Sequence, residues 1–120
     1  MEKEINNKND VDFFEGKHLI FKLIDRDYGI PIRYVNEIIG LMDIIPIPRT
    51  PDFLKGIINL RGKIIPIMDL RIKFQMNKKP YDEKTCIIIV DLSTEAEKKN
   101  FVGLIVDMVS EVYNIPGSEI

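Results

Sequence analysis

The sequence is poor in the residues that build staples and metal sites. One cysteine, one histidine and one alanine occur in 120 residues. With Cys86 alone, an intrachain disulfide and a cysteine-rich metal site are excluded, and a reducing, intracellular compartment fits best. With His18 alone, a zinc site built on several histidines is excluded as well. No apolar run approaches the roughly 20 residues of a membrane span. Met1 to Asp10 is charged and polar, which does not fit a signal peptide. A basic excess is also lacking: 17 Lys and Arg stand against 19 Asp and Glu, a formal charge of -2. That balance argues against a general nucleic-acid binder. No glycine-rich phosphate loop, nucleophile elbow or EF-hand pattern occurs.

What is present favours strands. There are 22 Ile and 7 Val but only Ala96 of the best helix-forming type; β-branched side chains prefer the pleated surface of a sheet. Seven Gly and seven Pro spread along the chain break it into short pieces. The length is that of one ordinary domain, or of two very small ones sharing a core. The expected fold class is all-β with one or two short helices.

Residues 1–17 read as an N-terminal tail, charged at its start and expected to dock through the apolar pair Phe13-Phe14. His18 to Asp25 alternates as a strand, with Leu19, Phe21 and Leu23 on one face. Asp25-Arg26-Asp27 is expected to turn the chain into a second strand, Tyr28 to Ile32, which is an edge or ends at Pro31, since proline cannot donate to a ladder. Arg33 to Gly40 reads as a turn and a strand. Thr50 to Gly56 has the signs of a one-turn helix: Thr50 as N-cap, Pro51 at the first position, Gly56 as the stop. Ile57–Leu60 and Lys63–Met68 flank Arg61-Gly62 as a tight hairpin. Asp69 to Phe74 is a short helix with Asp69 at its start. Thr85 to Leu92 is the most apolar strand, and Phe101 to Asp107 returns beside it after the charged loop Ser93 to Asn100. Met108 to Ile120 begins apolar and ends in Pro116-Gly117, without an obvious terminating element.

Candidate chemistry is sparse. Cys86 lies in an apolar strand, where a thiol behaves as a small hydrophobe. His18 opens a strand next to the tail and reads as a surface residue. Asp69, Asp91 and Asp107 follow apolar runs, and helix starts and turns account for them. Arg61 is the exception: a guanidinium on a rigid hairpin tip is a good interaction point, because little side-chain ordering is lost on binding.

The line from Gly56 to Arg71 is the most informative. It carries Gly56, Asn59-Leu60-Arg61-Gly62, Pro66 and Asp69-Leu70-Arg71. With Tyr28-Gly29-Ile30, Val35-Asn36-Glu37-Ile38, Pro51-Asp52-Phe53-Leu54 and Val102 to Val109, it resembles the CheW coupling proteins of bacterial chemotaxis, over roughly residues 18–120. The resemblance implies two small SH3-like β-barrels packed together. The middle barrel would take residues 36–84, and the other 18–35 plus 85–120, with its C-terminal strands missing. It implies a non-catalytic, cytoplasmic adaptor with no cofactor and no metal. Its partners would be the regulatory domain of the histidine kinase CheA and the cytoplasmic tip of methyl-accepting chemoreceptors, with no nucleic acid and no membrane insertion. The receptor's helical hairpin would dock between the barrels, a helix-in-groove mode. By motif position that site would involve Val35, Glu37, Asn59, Arg61, Gly62, Val106 and Val109, with Glu37 and Arg61 close enough to pair. A barrel short of strands leaves open edges, so self-association of this chain is expected. Three other functions compete: the CheW-like regulatory module of a chemotaxis kinase, an SH3-like or OB-like RNA-binding domain and, weakest, a small hydrolase. The second needs a basic face with exposed aromatics, which the composition does not supply.

Overall fold

The computed structural model describes residues 16–77, 80–93 and 99–115, the last five through their backbone. The expected docking of Phe13-Phe14 and the middle of the loop 93–100 lie outside that range. The described residues form two sheets.

The smaller sheet has three strands, β1 (Gly16–Leu23), β2 (Arg26–Pro31) and β8 (Met108–Ile115), with β1 in the middle. Leu19, Phe21 and Leu23 are buried on one face of β1, as the alternation predicts. The turn comes earlier than expected. Leu23 pairs with Arg26, so Ile24 and Asp25 alone make the turn and β2 begins at Arg26. Pro31 ends β2 on an outer strand, where its missing N–H breaks no ladder. β8 corresponds to no element expected from the sequence. Its residues, MVSEVYNI, mix polar and apolar side chains at both parities, so no period-two pattern marks them. Antiparallel pairing with β1 makes it a strand, with a register shift at Ile20/Phe21.

His18 is not on the surface. It is buried on the central strand, and its Nδ1 donates to the Gly16 carbonyl at 3.1 Å. Its strand is paired on both sides, with β2 and with β8.

The larger sheet runs β3 (Val35–Gly40), β6 (Cys86–Asp91), β7 (Phe101–Val106), β5 (Lys63–Asp69), β4 (Leu54–Leu60). A 3-10 turn at Ile32–Tyr34 leads into β3, and helix α1 (Leu70–Lys73) follows β5. Asp69 caps α1 by accepting from the Arg71 N–H at 3.0 Å. The one-turn helix expected at 50–56 is absent. The Thr50 hydroxyl donates back to the Ile47 carbonyl, and Leu54 N–H closes a turn onto Pro51 O, each at 3.0 Å. One isolated turn makes too few hydrogen bonds to offset its ordering. Pairing of Leu54 with Met68, and of Phe53 O with the Asp69 N–H, draws this stretch into the sheet instead.

The outer strands of this sheet are brought together. Ile45, just beyond β3, exchanges both backbone hydrogen bonds with Ile57 of β4, at 2.8 and 2.9 Å. The sheet thus closes on itself in the SH3-like manner.

Strand β6 explains the run Ile87 to Val90. Ile87 and Ile89 join Ile58, Ile65, Ile67 and Ile105 in one core. Ile88 and Val90 join Leu19, Phe21, Leu23, Leu70 and Val106 in a second. A strand buried on both faces is continuously apolar, and β6 with β7 forms a wall common to both cores. The segment 85–107 therefore pairs with strands of 35–69 while lining the core of the smaller sheet. Gly103 on β7 makes room in the first core: a Cβ there would lie 2.4 Å from Ile67 Cδ1 and 2.9 Å from Ile87 Cγ2. Gly103→Val is expected to cost about 1–3 kcal/mol through overpacking, read as a lower urea midpoint with an unchanged slope.

Candidate functional site

The β4–β5 turn is built for display. Arg61 and Gly62 both adopt positive φ, 51° and 86°, the left-handed conformation that two-residue hairpin turns require. Asn59 secures it: its Oδ1 accepts from the Gly62 N–H at 2.9 Å. Space around Gly62 is open, so the constraint there is conformational and not steric. Gly62→Val is expected to cost about 1–3 kcal/mol of backbone strain, seen as a lower melting temperature, and an unchanged melting temperature would disprove the turn's role.

Barrel closure brings Glu37 of β3 to this turn, and Arg61 Nη2 donates to Glu37 Oε1. The Arg61 side chain stays 67% exposed. An ion pair this open adds only about 0–1 kcal/mol to stability. It orients the guanidinium while leaving most of it facing solvent.

The seven residues expected at the site fall into two groups. Glu37, Asn59, Arg61 and Gly62 gather at the turn. Val35 and Val109 pack partly buried against the core of the smaller sheet. Val106 is fully enclosed there, so it supports β7 from inside and cannot touch a partner. The reason is its parity: Val106 points with Ile88 and Val90 into the core, opposite to Ile105.

A second feature is an apolar stretch facing water. Ile38, Leu41, Met42, Ile45 and Ile47 are all exposed within ten residues of chain, and Ile64 is exposed as well. Exposed apolar clusters of this kind mark interaction surfaces.

Sequence reasoning missed a buried ionic cluster. Asp69, Arg71 and Asp107 are enclosed almost completely, with side chains at most 4% exposed. Arg71 Nη2 lies 3.3 Å from Asp69 Oδ2, and Nη1 lies 3.0 Å from Asp107 Oδ1. The Tyr81 hydroxyl donates to Asp69 Oδ2 at 2.7 Å, and the Arg71 guanidinium lies over its ring. Burial disfavours the Asp69 carboxylate, but hydrogen bonds from Arg71 and Tyr81 and the charge of Arg71 outweigh it and hold the pKa below the usual value. Burial, then the bond to Asp69, push the Tyr81 phenol up to about 12. The sequence signal was the Asp-Leu-Arg end of the motif line. Asp69 was legible as a cap, but nothing local says that Arg71 turns inward.

Tyr81 ionisation carries a sign that can be tested. A phenol whose folded pKa exceeds its unfolded one contributes stability present below pH ~10, lost as pH rises through the folded value. Tyr81→Phe is expected to remove a step near pH 12 from the absorbance titration of phenolate; persistence of that step would assign it elsewhere.

The remaining candidates are quiet. The Cys86 thiol is partly buried and burial pushes its pKa up, consistent with a packed side chain. Asp91 accepts from the Ser93 and Asn100 N–H groups at 3.0 and 3.2 Å, closing the β6–β7 loop, and these bonds lower its pKa to about 2. Among the described residues, no group of three His, Cys, Asp or Glu is arranged to hold a metal ion, and no helix is long and apolar enough to cross a membrane.

Comparison with known proteins agrees with this geometry. A family model described as a CheW-like domain matches residues 17–120. The chemotaxis protein CheW of Klebsiella aerogenes is 43% identical over 102 residues, 85% of this chain and 58% of that protein. The chemotaxis protein CheW of Rhizobium meliloti is 32% identical over 88% of this chain and 65% of its own length. The crystal structure of the scaffolding protein TtCheW from Thermoanaerobacter tengcongensis superposes with a TM-score of 0.75 at 42% identity, covering 85% of this chain and 66% of that one. The chain spans less than two thirds of the length of each of these relatives. With a family model matching nearly its whole length, the chain belongs to the CheW family.

Proposed function

We propose that this chain is a non-catalytic adaptor of bacterial chemotaxis, coupling methyl-accepting chemoreceptors to the histidine kinase CheA in the cytoplasm. The observation that carries this reading is the rigid, solvent-facing Arg61 held by Glu37 on the Asn59–Gly62 turn, in a chain 43% identical to a chemotaxis protein CheW. The receptor tip, a helical hairpin, docks in the groove between the closed five-stranded barrel and the three-stranded sheet. Glu37, Asn59 and Arg61 supply its polar side, and Val35 and Val109 its apolar floor. The regulatory domain of the kinase covers the exposed apolar stretch 38–47, where burying Ile38, Ile45 and their neighbours supplies the driving force.

A co-sedimentation assay with receptor tip and kinase regulatory domain tests both contacts separately. Arg61→Glu is expected to weaken receptor binding at least tenfold, and Glu37→Arg with Arg61→Glu to recover part of it. Ile45→Asp is expected to weaken kinase binding while leaving the receptor contact. Full receptor binding by Arg61→Glu would refute the receptor site, and full kinase binding by Ile45→Asp the kinase site.

A further inference from the structure

Asp107 occupies an unusual position. β7 ends at Val106, paired with Cys86 in the five-stranded sheet, and β8 begins at Met108, paired with Lys22 in the three-stranded sheet. A single residue therefore carries the chain from one sheet to the other. Strands that switch sheets bend at such corners, and here the corner falls at Asp107.

That residue is held on every side. Its N–H donates to the Lys22 carbonyl at 3.0 Å. Its Oδ2 accepts from the Ile24 N–H. Its Oδ1 faces Arg71 Nη1 at 3.0 Å without a directed hydrogen bond, so charge is what holds it. Arg71 in turn is bound to Asp69 at the end of β5. The three-stranded sheet contributes the β1–β2 turn to this cluster, and the five-stranded sheet contributes Asp69 and α1. Ile24 itself adopts a φ of 58°, which a β-branched residue rarely does, and the carboxylate of Asp107 pins its amide.

We propose that Asp69, Arg71 and Asp107 form an ionic clasp that fixes the angle between the two sheets, making Arg71 and Asp107 positioning residues for the groove between them. The groove itself rests on the functional reading above; the clasp does not. Neither side chain reaches a partner, since both are enclosed. They act by setting where Val109, two residues beyond the hinge, lies relative to Glu37 and Arg61.

Segment-resolved hydrogen exchange on the whole chain, without partner, tests the clasp. Asp107→Asn keeps the shape and an acceptor for Ile24 but removes the charge facing Arg71. Arg71→Lys is milder, keeping the charge while losing the fork. For both, amides of β1, β2 and β8 are expected to exchange at least tenfold faster together, while β4 and β5 change less than twofold. Receptor-tip binding, measured in parallel, is expected to fall at least fivefold although the variants remain folded. Uniform acceleration across both sheets, or none, would show that the cluster contributes general stability only and overturn the positioning role. So would failure of both variants to fold. If the parent chain fails to bind the receptor tip, the functional reading falls while the exchange pattern still decides the clasp.

Discussion

Arg71→Met is expected to destabilise the fold by about 3–5 kcal/mol, because it leaves two buried carboxylates without their cation. Against a total stability of roughly 5–15 kcal/mol for a domain, that loss brings the chain close to unfolding at neutral pH. The magnitude is not the value of the intact cluster. Bringing Asp69, Arg71 and Asp107 out of water is itself costly, and a well-packed apolar replacement of all three would come out near neutral. The penalty arises from breaking the set. Urea unfolding at neutral pH measures it, with an unchanged midpoint as the result that would refute the cluster's role.

The pH dependence of that loss follows from Asp69. Its folded pKa lies below its usual value. In the parent, Asp69 thus contributes stability that is present above the unfolded pKa of about 3.9 and is lost as pH falls through the lower, folded value. In Arg71→Met the largest favourable partner is gone while the burial remains. Burial, the largest single influence on this carboxyl, then opposes only the bonds from the Tyr81 hydroxyl and the backbone N–H of residue 71, so the folded pKa of Asp69 is expected to rise above the unfolded one. Its contribution has the opposite slope, unfavourable at neutral pH and relieved on acidification. The gap between parent and variant is therefore expected to narrow from pH 7 to pH 4. A gap that widens over that range would place the cost of the substitution in packing and not in charge.

Much of the fold is legible in the sequence because most strands carry their own pattern. β1 alternates, the β4–β5 hairpin is marked by Arg61-Gly62, and β6 is apolar throughout because both of its faces are buried. The features that escaped are those made by partners distant in sequence. β8 is a strand because β1 is there to pair with it. Arg71 turns inward because Asp107, far along the chain, supplies a second carboxylate. His18 is buried because its strand became central. The candidate site shows the same division. Arg61, Gly62 and Asn59 are neighbours in sequence and their turn is readable, and the resemblance to a known family brought Glu37 to it. Val106 belongs to the family-like piece Val102 to Val109 but faces inward, which only the register of β7 reveals.

Gly56 shows how one residue of the motif line serves a purpose its neighbours in sequence do not announce. Read locally it stops a helix; in the structure it sits inside β4 at a register shift, with a φ of 143°. A Cβ at this position would lie 2.1 Å from the Ile45 carbonyl oxygen and 2.7 Å from its carbon. Both are backbone atoms and cannot rotate away, unlike the side-chain tips that crowd Gly103. Gly56→Ala is therefore expected to push the Ile45 strand off Ile57 and break the two hydrogen bonds that close the barrel. Strain of about 1–3 kcal/mol and the loss of two hydrogen bonds worth about 0.5–1.5 kcal/mol each place the total near 2–6 kcal/mol. On the function proposed above the damage extends to receptor binding, because closure is what carries Glu37 to Arg61. In Gly56→Ala the Ile45 and Ile57 amides are expected to lose protection from exchange, and receptor binding to fall as far as in Arg61→Glu, although both site residues are intact. Gly62→Val, with open space around it, should leave those two amides protected. Equal protection in Gly56→Ala and the parent, with an unchanged urea midpoint, would show that the barrel closes without a glycine at this position.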